Sequence, residues 1–144
     1  MVGIKVVISD PKSGKSVQKE VSEDNSKAFY GKKIGDTLHG EALDMTGYEF
    51  RISGGSDYCG FPMRADVPGL GRRKILLVSG IGAKTLRYKI RKTKPVQFHP
   101  GSRQRKTVCG NTIHDKITQV NLLVVKHGSA PLIEQKVVEA TPAK

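Results

Sequence analysis

No aspartate or glutamate occurs between Val67 and His114, a window of 48 residues that holds 12 of the chain's 25 lysines and arginines. The rest of the sequence carries 13 basic and 13 acidic side chains, so this window supplies the whole formal net charge of +12. Positive charge gathered without counter-ions builds a field suited to a polyanion, and nucleic acid is the commonest one. Other absences narrow the possibilities. With no Trp and 6% aromatic residues, an aromatic platform for single strands is not expected, and phosphate contacts should dominate. Two cysteines, Cys59 and Cys109, without a C-x-x-C pair and without a signal segment ahead of them, point to free thiols in a reducing, cytoplasmic setting. No apolar run approaches ~18 residues, the longest being short ones such as Leu122–Val125, so no membrane span is expected. The basic window is too rich in Gly, Pro and Thr for a long membrane-surface helix.

What is present reads mostly as strand. Ile4–Ile8 is β-branched and runs into the turn Ser9-Asp10-Pro11-Lys12-Ser13-Gly14, with Val17 and Val21 in a return strand. Asp24-Asn25-Ser26 ahead of Lys27-Ala28-Phe29-Tyr30 predicts one short helix stopped by Gly31. Tyr48, Phe50 and Ile52 alternate onto one face of a strand that should end at Gly54-Gly55, where a bulge or tight turn is expected. Ile75–Val78 is a short buried strand and Val120–Val125 the strongest strand, while the stretch from Gly31 to Leu43 carries little signal. The expected fold is therefore mainly β, a small barrel-like domain with one short helix and basic loops or ribbon. Residues 1–134 are expected to form a single body with its basic, polyanion-facing segment at 67–114, and residues 135–144 a flexible tail.

The basic side chains fall into clusters. Arg72-Arg73-Lys74 lies beside the Gly69-Leu70-Gly71 turn, with Arg64 preceding it. Leu86–Lys94 reads as a ribbon whose Arg87, Lys89 and Arg91 share one face at ~6–7 Å intervals, comparable to phosphate spacing. Lys92 and Lys94 extend it. Arg103-Gln104-Arg105-Lys106 sits on a loop leading into a strand. If about eight of these side chains neutralise phosphates, log affinity should fall with log salt at a slope of roughly −6 to −7. No base-reading motif is visible, so recognition of folded RNA by shape and backbone is expected.

Gly80-Ile81-Gly82-Ala83-Lys84-Thr85 offers an alternative, a nucleotide-binding or nucleic-acid-processing enzyme with Lys84 at the phosphates. The pattern departs from a phosphate loop at Val78 and Ala83, where glycine is required, and Lys84 is better read as a phosphate-facing lysine on a glycine turn. A regulatory module docking an acidic protein is a third possibility. His39, His99, His114 and His127 form no metal spacing with the cysteines, and no catalytic constellation is expected. Neither a metal, a cofactor nor a small-molecule substrate is implied.

Gly54-Gly55-Ser56-Asp57-Tyr58-Cys59-Gly60-Phe61-Pro62-Met63 closely resembles the G-G-x-D-x-x-G-F-P-M signature of the family of small ribosomal subunit protein six of archaea and eukaryotes. Arg72–Val78, Arg105–Val108 and Asn121–Lys126 ending at Gly128 follow in the family's order, so that the resemblance covers roughly residues 3 to 134. It implies a β-rich, barrel-containing body held on small-subunit ribosomal RNA among neighbouring ribosomal proteins, with a structural role. Arg72, Arg73, Lys74, Arg105 and Lys106 are the matched positions expected at or near RNA. The chain departs from the pattern at Tyr58-Cys59, where many members carry Lys-Gln, and at Cys109, where arginine is common. The short, archaeal form is implied.

Overall fold

The computed structural model describes residues 3–83, 87–88, 97–98 and 103–128. The strands are β1 (Ile4–Ser9), β2 (Ser16–Val21), β3 (Thr37–His39), β4 (Glu49–Asp57), β5 (Arg72–Leu77), β6 (Arg87–Tyr88), β7 (Gln97–Phe98), β8 (Gln104–Cys109) and β9 (Ile117–Lys126). Helix is confined to α1 (Glu23–Ser26) and a 3-10 turn at Gly40–Leu43. The mainly β expectation holds. The main sheet runs β2-β1-β9-β4-β3, however, and among the described residues its edges β2 and β3 do not meet, so the barrel stays open.

Alternation explains why β1, β4 and β9 share a core. Ile4, Val6 and Ile8 point inward from β1, and the parallel pairing with β9 sets Val6 beside Val120 and Ile8 beside Leu122. On the other side of β9, Phe50 lies opposite Val124 and Ile52 opposite Leu122. Phe29, Leu38, Leu43, Met63 and Ile113 close over this face. Each fully buried side chain of this size contributes about 1.5–3 kcal/mol of transfer free energy.

Three strand expectations shift. β4 is bulged at Ile52/Gly54 as its glycine pair predicts, but it does not end there: further register shifts at Glu49/Phe50 and Ser56/Asp57 bend it without breaking it, and it continues to Asp57. β5 runs Arg72–Leu77, which takes the basic triad from beside the turn into the strand, and of the expected buried strand Ile75–Val78 only Leu77 is buried, with Leu76 and Val78 exposed. Likewise Arg105 and Lys106 lie within β8 and not on a loop. Both changes follow from cross-strand pairing, since β5 and β8 are antiparallel from Arg72↔Cys109 to Leu77↔Gln104.

The helix also starts earlier than its capping residues predict. Ser22 is the extended residue before α1, and Lys27–Tyr30 follow in i→i+3 turns such as Phe29 N–H to Ser26 O at 3.1 Å. Packing decides this: Phe29 is completely buried, and Gly31 donates to the Ile113 carbonyl at 3.0 Å, tying the segment to the chain ahead of β9.

The Gly-Phe-Pro-Met block joins the main sheet to the β5–β8 ribbon. Met63 N–H donates to Gly55 O at 2.9 Å on the sheet side, while Cys109 N–H donates to Pro62 O at 2.9 Å on the ribbon side. Gly55 is needed there because a Cβ would lie 2.5 Å from the Gln119 carbonyl oxygen. A second core of Val67, Leu77 and Val108, with Ile75 and Ala83 against it, fills the ribbon's inner face.

Candidate nucleic-acid interface

Opposed residues of an antiparallel pair share a face, which sorts the ribbon's charges. Arg73 lies opposite Val108 and Lys106 opposite Ile75, at the border of the small core. Lys74 opposite Thr107 and Arg105 opposite the exposed Leu76 occupy the other face. Arg73, Lys74 and Arg105 are exposed and Lys106 half-buried, and among the described residues none of the four meets a carboxylate. Arg103, also exposed, leads into β8. The ribbon therefore carries cations on both faces over an apolar centre.

Two of the expected contacts are engaged inside the protein. Arg64 donates through Nη1 to the Ile81 carbonyl at 2.7 Å and through Nη2 to Asp66, and only 15% of its side chain is exposed. Arg72 donates through Nε to Asp57 Oδ2 at 2.5 Å, and its guanidinium carbon lies 4.6 Å from the Tyr58 ring centre and 5.2 Å from that of Phe61. These arginines hold loops in place, and a good part of their charge is answered by carboxylates lying outside the acid-free window.

Asp57 is the anchor. Its side chain is 1% exposed and also accepts from Cys109 Sγ at 3.5 Å. Burial opposes its ionisation, but hydrogen bonds from Arg72 and Cys109 outweigh it and hold the carboxyl below its ordinary range. The Cys109 thiol is pushed up to about 11, by burial first and then by the Asp57 charge, and is inert as a nucleophile. Both cysteines are free, Cys59 exposed and Cys109 buried.

The ion pair makes stability pH-dependent. Folding lowers the Asp57 pKa, so its contribution is complete above the ordinary value of 3.8 and is lost as pH falls through the folded value. Asp57→Asn is expected to cost about 2 kcal/mol at pH 7, and the deficit should shrink as pH drops below 4. Thermal unfolding of both proteins from pH 7 to pH 2 checks this; a constant deficit contradicts it.

Sequence reasoning quoted Asp57 within the glycine-rich signature but missed its pairing with Arg72. Asp57 would point outward if the alternation of Phe50 and Ile52 continued unbroken, and only the bulges turn it inward. The glycine pair Gly54-Gly55 announces a bulge, but not that the strand continues past it or that a carboxylate is turned inward. Arg87 lies on β6, paired with Phe98 of β7. Lys84, Lys89, Arg91, Lys92 and Lys94 lie outside the described residues, as does the tail 135–144. At the glycine turn, Ala83 N–H donates to Gly80 O at 3.0 Å, and Arg64 occupies the Ile81 carbonyl.

Among the described residues no cluster of His, Cys, Asp or Glu fits a metal ion, and no helix is long and apolar enough to cross a membrane. The family described as ribosomal protein S6e matches residues 4–136. Small ribosomal subunit protein eS6 of Archaeoglobus fulgidus is 45% identical over 134 residues, covering 90% of this chain and 92% of that protein. The protein of the same name in Nanoarchaeum equitans is 44% identical over 131 residues, covering 91% and 87%. That of Methanothermobacter thermautotrophicus is 43% identical over 133 residues, covering 92% and 94%.

Proposed function

The chain belongs to the ribosomal protein S6e family, and on that premise we propose that it holds small-subunit ribosomal RNA through the phosphate-binding ribbon β5–β8. As a ribosomal protein of the small subunit it is a structural component of the cytoplasmic ribosome and not an enzyme. The observation that carries the finer reading is that Arg73, Lys74, Arg105 and Lys106 stand on one rigid pair of strands without a carboxylate among the described residues. Paired strands hold the Cα positions of the four charges at fixed spacing, so little backbone order has to be acquired on binding. Arg103 extends this surface, and Lys84, Arg87, Lys89, Arg91, Lys92 and Lys94 belong to the same acid-free window. Arg64 and Arg72 contribute mainly by fixing the loops beside it. Neighbouring ribosomal proteins complete the surroundings.

Amine-reactive footprinting tests the assignment. Lys74 is expected to react freely in the isolated protein, to be protected several-fold in intact small subunits, and to regain reactivity after nuclease digestion. Protection that survives complete digestion would assign this face to a protein neighbour instead.

A further inference from the structure

Beside the ribbon, an open groove is lined by Tyr58, Leu70, Arg72, His114, Asp115 and Lys116. Tyr58 is 62% exposed and Leu70 52% exposed, a pair of bare apolar surfaces in a strongly basic protein. The ring of Tyr58 is nonetheless fixed. Its backbone N–H donates to the Lys116 carbonyl at 3.1 Å, and the Arg72 guanidinium lies against the ring at 4.6 Å, itself held by Asp57 at 2.5 Å and backed by Phe61 at 5.2 Å. The ring thus has one covered face and one open face. A guanidinium beneath an aromatic ring is a favourable contact, and here it holds the ring as a preformed platform.

We propose that this groove takes an unpaired nucleobase of the bound RNA, stacked on the open face of Tyr58 and bordered by Leu70. The proposal rests on the phosphate-binding reading above and names a subsite of that interface. A base suits the groove because its π-face needs only a flat partner, and stacking of this kind is tolerant of sequence. Lys116 at the rim supplies positive charge for the nucleotide's phosphate, and Asp115 supplies an acceptor for a base amino group. A duplex would not reach Tyr58 in this way, since its bases are already stacked on one another. The occupant is therefore a bulged, looped or terminal nucleotide. Low aromatic content overall does not exclude such a site, because one immobilised ring is enough to hold one base.

The test compares the full-length native protein with Tyr58→Phe and Tyr58→Leu in binding to purified small-subunit ribosomal RNA across a salt series. Tyr58→Leu keeps an apolar side chain at an exposed position and is expected to fold, which its unfolding midpoint checks. It should bind on the order of 10-fold more weakly with the salt slope unchanged, while Tyr58→Phe stays within about twofold of native. Native-like affinity in Tyr58→Leu overturns the proposal. So does an equal loss in Tyr58→Phe, which would assign the effect to the hydroxyl. A flattened slope in Tyr58→Leu overturns it too, because the ring would then be acting on phosphate contacts. A salt-independent native protein marks a different failure, that of the phosphate-binding reading, and the stacking proposal falls with it.

Discussion

Replacing Arg73, Lys74, Arg105 and Lys106 together by glutamine is expected to weaken binding to small-subunit ribosomal RNA on the order of 10³-fold at 0.1 M salt. The size follows from counterion release. Each phosphate neutralised frees close to one condensed cation, which makes one contact worth nearly tenfold at 0.1 M relative to 1 M salt. Three or four contacts together then give the stated loss. The ribbon itself should survive, because its order comes from the Arg72↔Cys109 to Leu77↔Gln104 pairing and from Val67, Leu77 and Val108 beneath it. Its unfolding midpoint should stay within a few degrees of native. Arg64→Gln should behave in the opposite way, since that guanidinium ties the Ile81 carbonyl and Asp66 and is largely covered. It is expected to lower stability with a modest change in affinity. Filter binding or fluorescence anisotropy at fixed salt distinguishes the two, and a loss below tenfold for the fourfold variant contradicts the assignment.

Gly110→Ala is expected to have the largest effect on stability, on the order of 3–5 kcal/mol. A Cβ there would lie 1.8 Å from the Gly69 carbonyl oxygen and 2.6 Å from its carbonyl carbon, both backbone atoms. Relief requires moving the segment 67–71 away from the chain after β8. That movement breaks the bonds from Gly110 N–H to Gly71 O at 3.1 Å and from Asn111 N–H to Val67 O at 2.8 Å. The unfolding midpoint should fall by about 10 °C or more. Gly71→Ala is the control within the same segment, because nothing lies within 4 Å of its added Cβ, and it should change stability by less than about 0.5 kcal/mol. Equal midpoints for the two variants would show that this close approach does not hold the ribbon against the body.

Much of the fold was legible because the apolar alternation of Ile4, Val6 and Ile8, and of Val120, Leu122 and Val124, states which strands are buried on one face. The parallel pairing of the first strand with the last was not legible, since nothing local in either strand names its distant neighbour. How far the bulged strand runs was not legible either. β4 reads as ending at Gly54-Gly55, yet its register shifts carry it to Asp57 and turn that carboxylate onto Arg72. Counting charge along the sequence delimits the acid-free window but treats all the arginines from Arg64 onward alike. Pairing across space separates them, with Arg72 and Arg64 answered by Asp57 and Asp66 and the four ribbon cations left unanswered among the described residues. Tyr58 shows a similar limit of composition: a count of few aromatics does not register that one exposed ring is held over a guanidinium.

The central claim is that strand-borne cations of β5 and β8 neutralise phosphates of ribosomal RNA. It is tested most directly by the slope of log affinity against log salt, measured in parallel for the native chain and the fourfold glutamine variant. The native slope is expected at roughly −6, and the variant's should be flatter by about 3. A native slope near zero, or the same slope in both proteins, would contradict the claim.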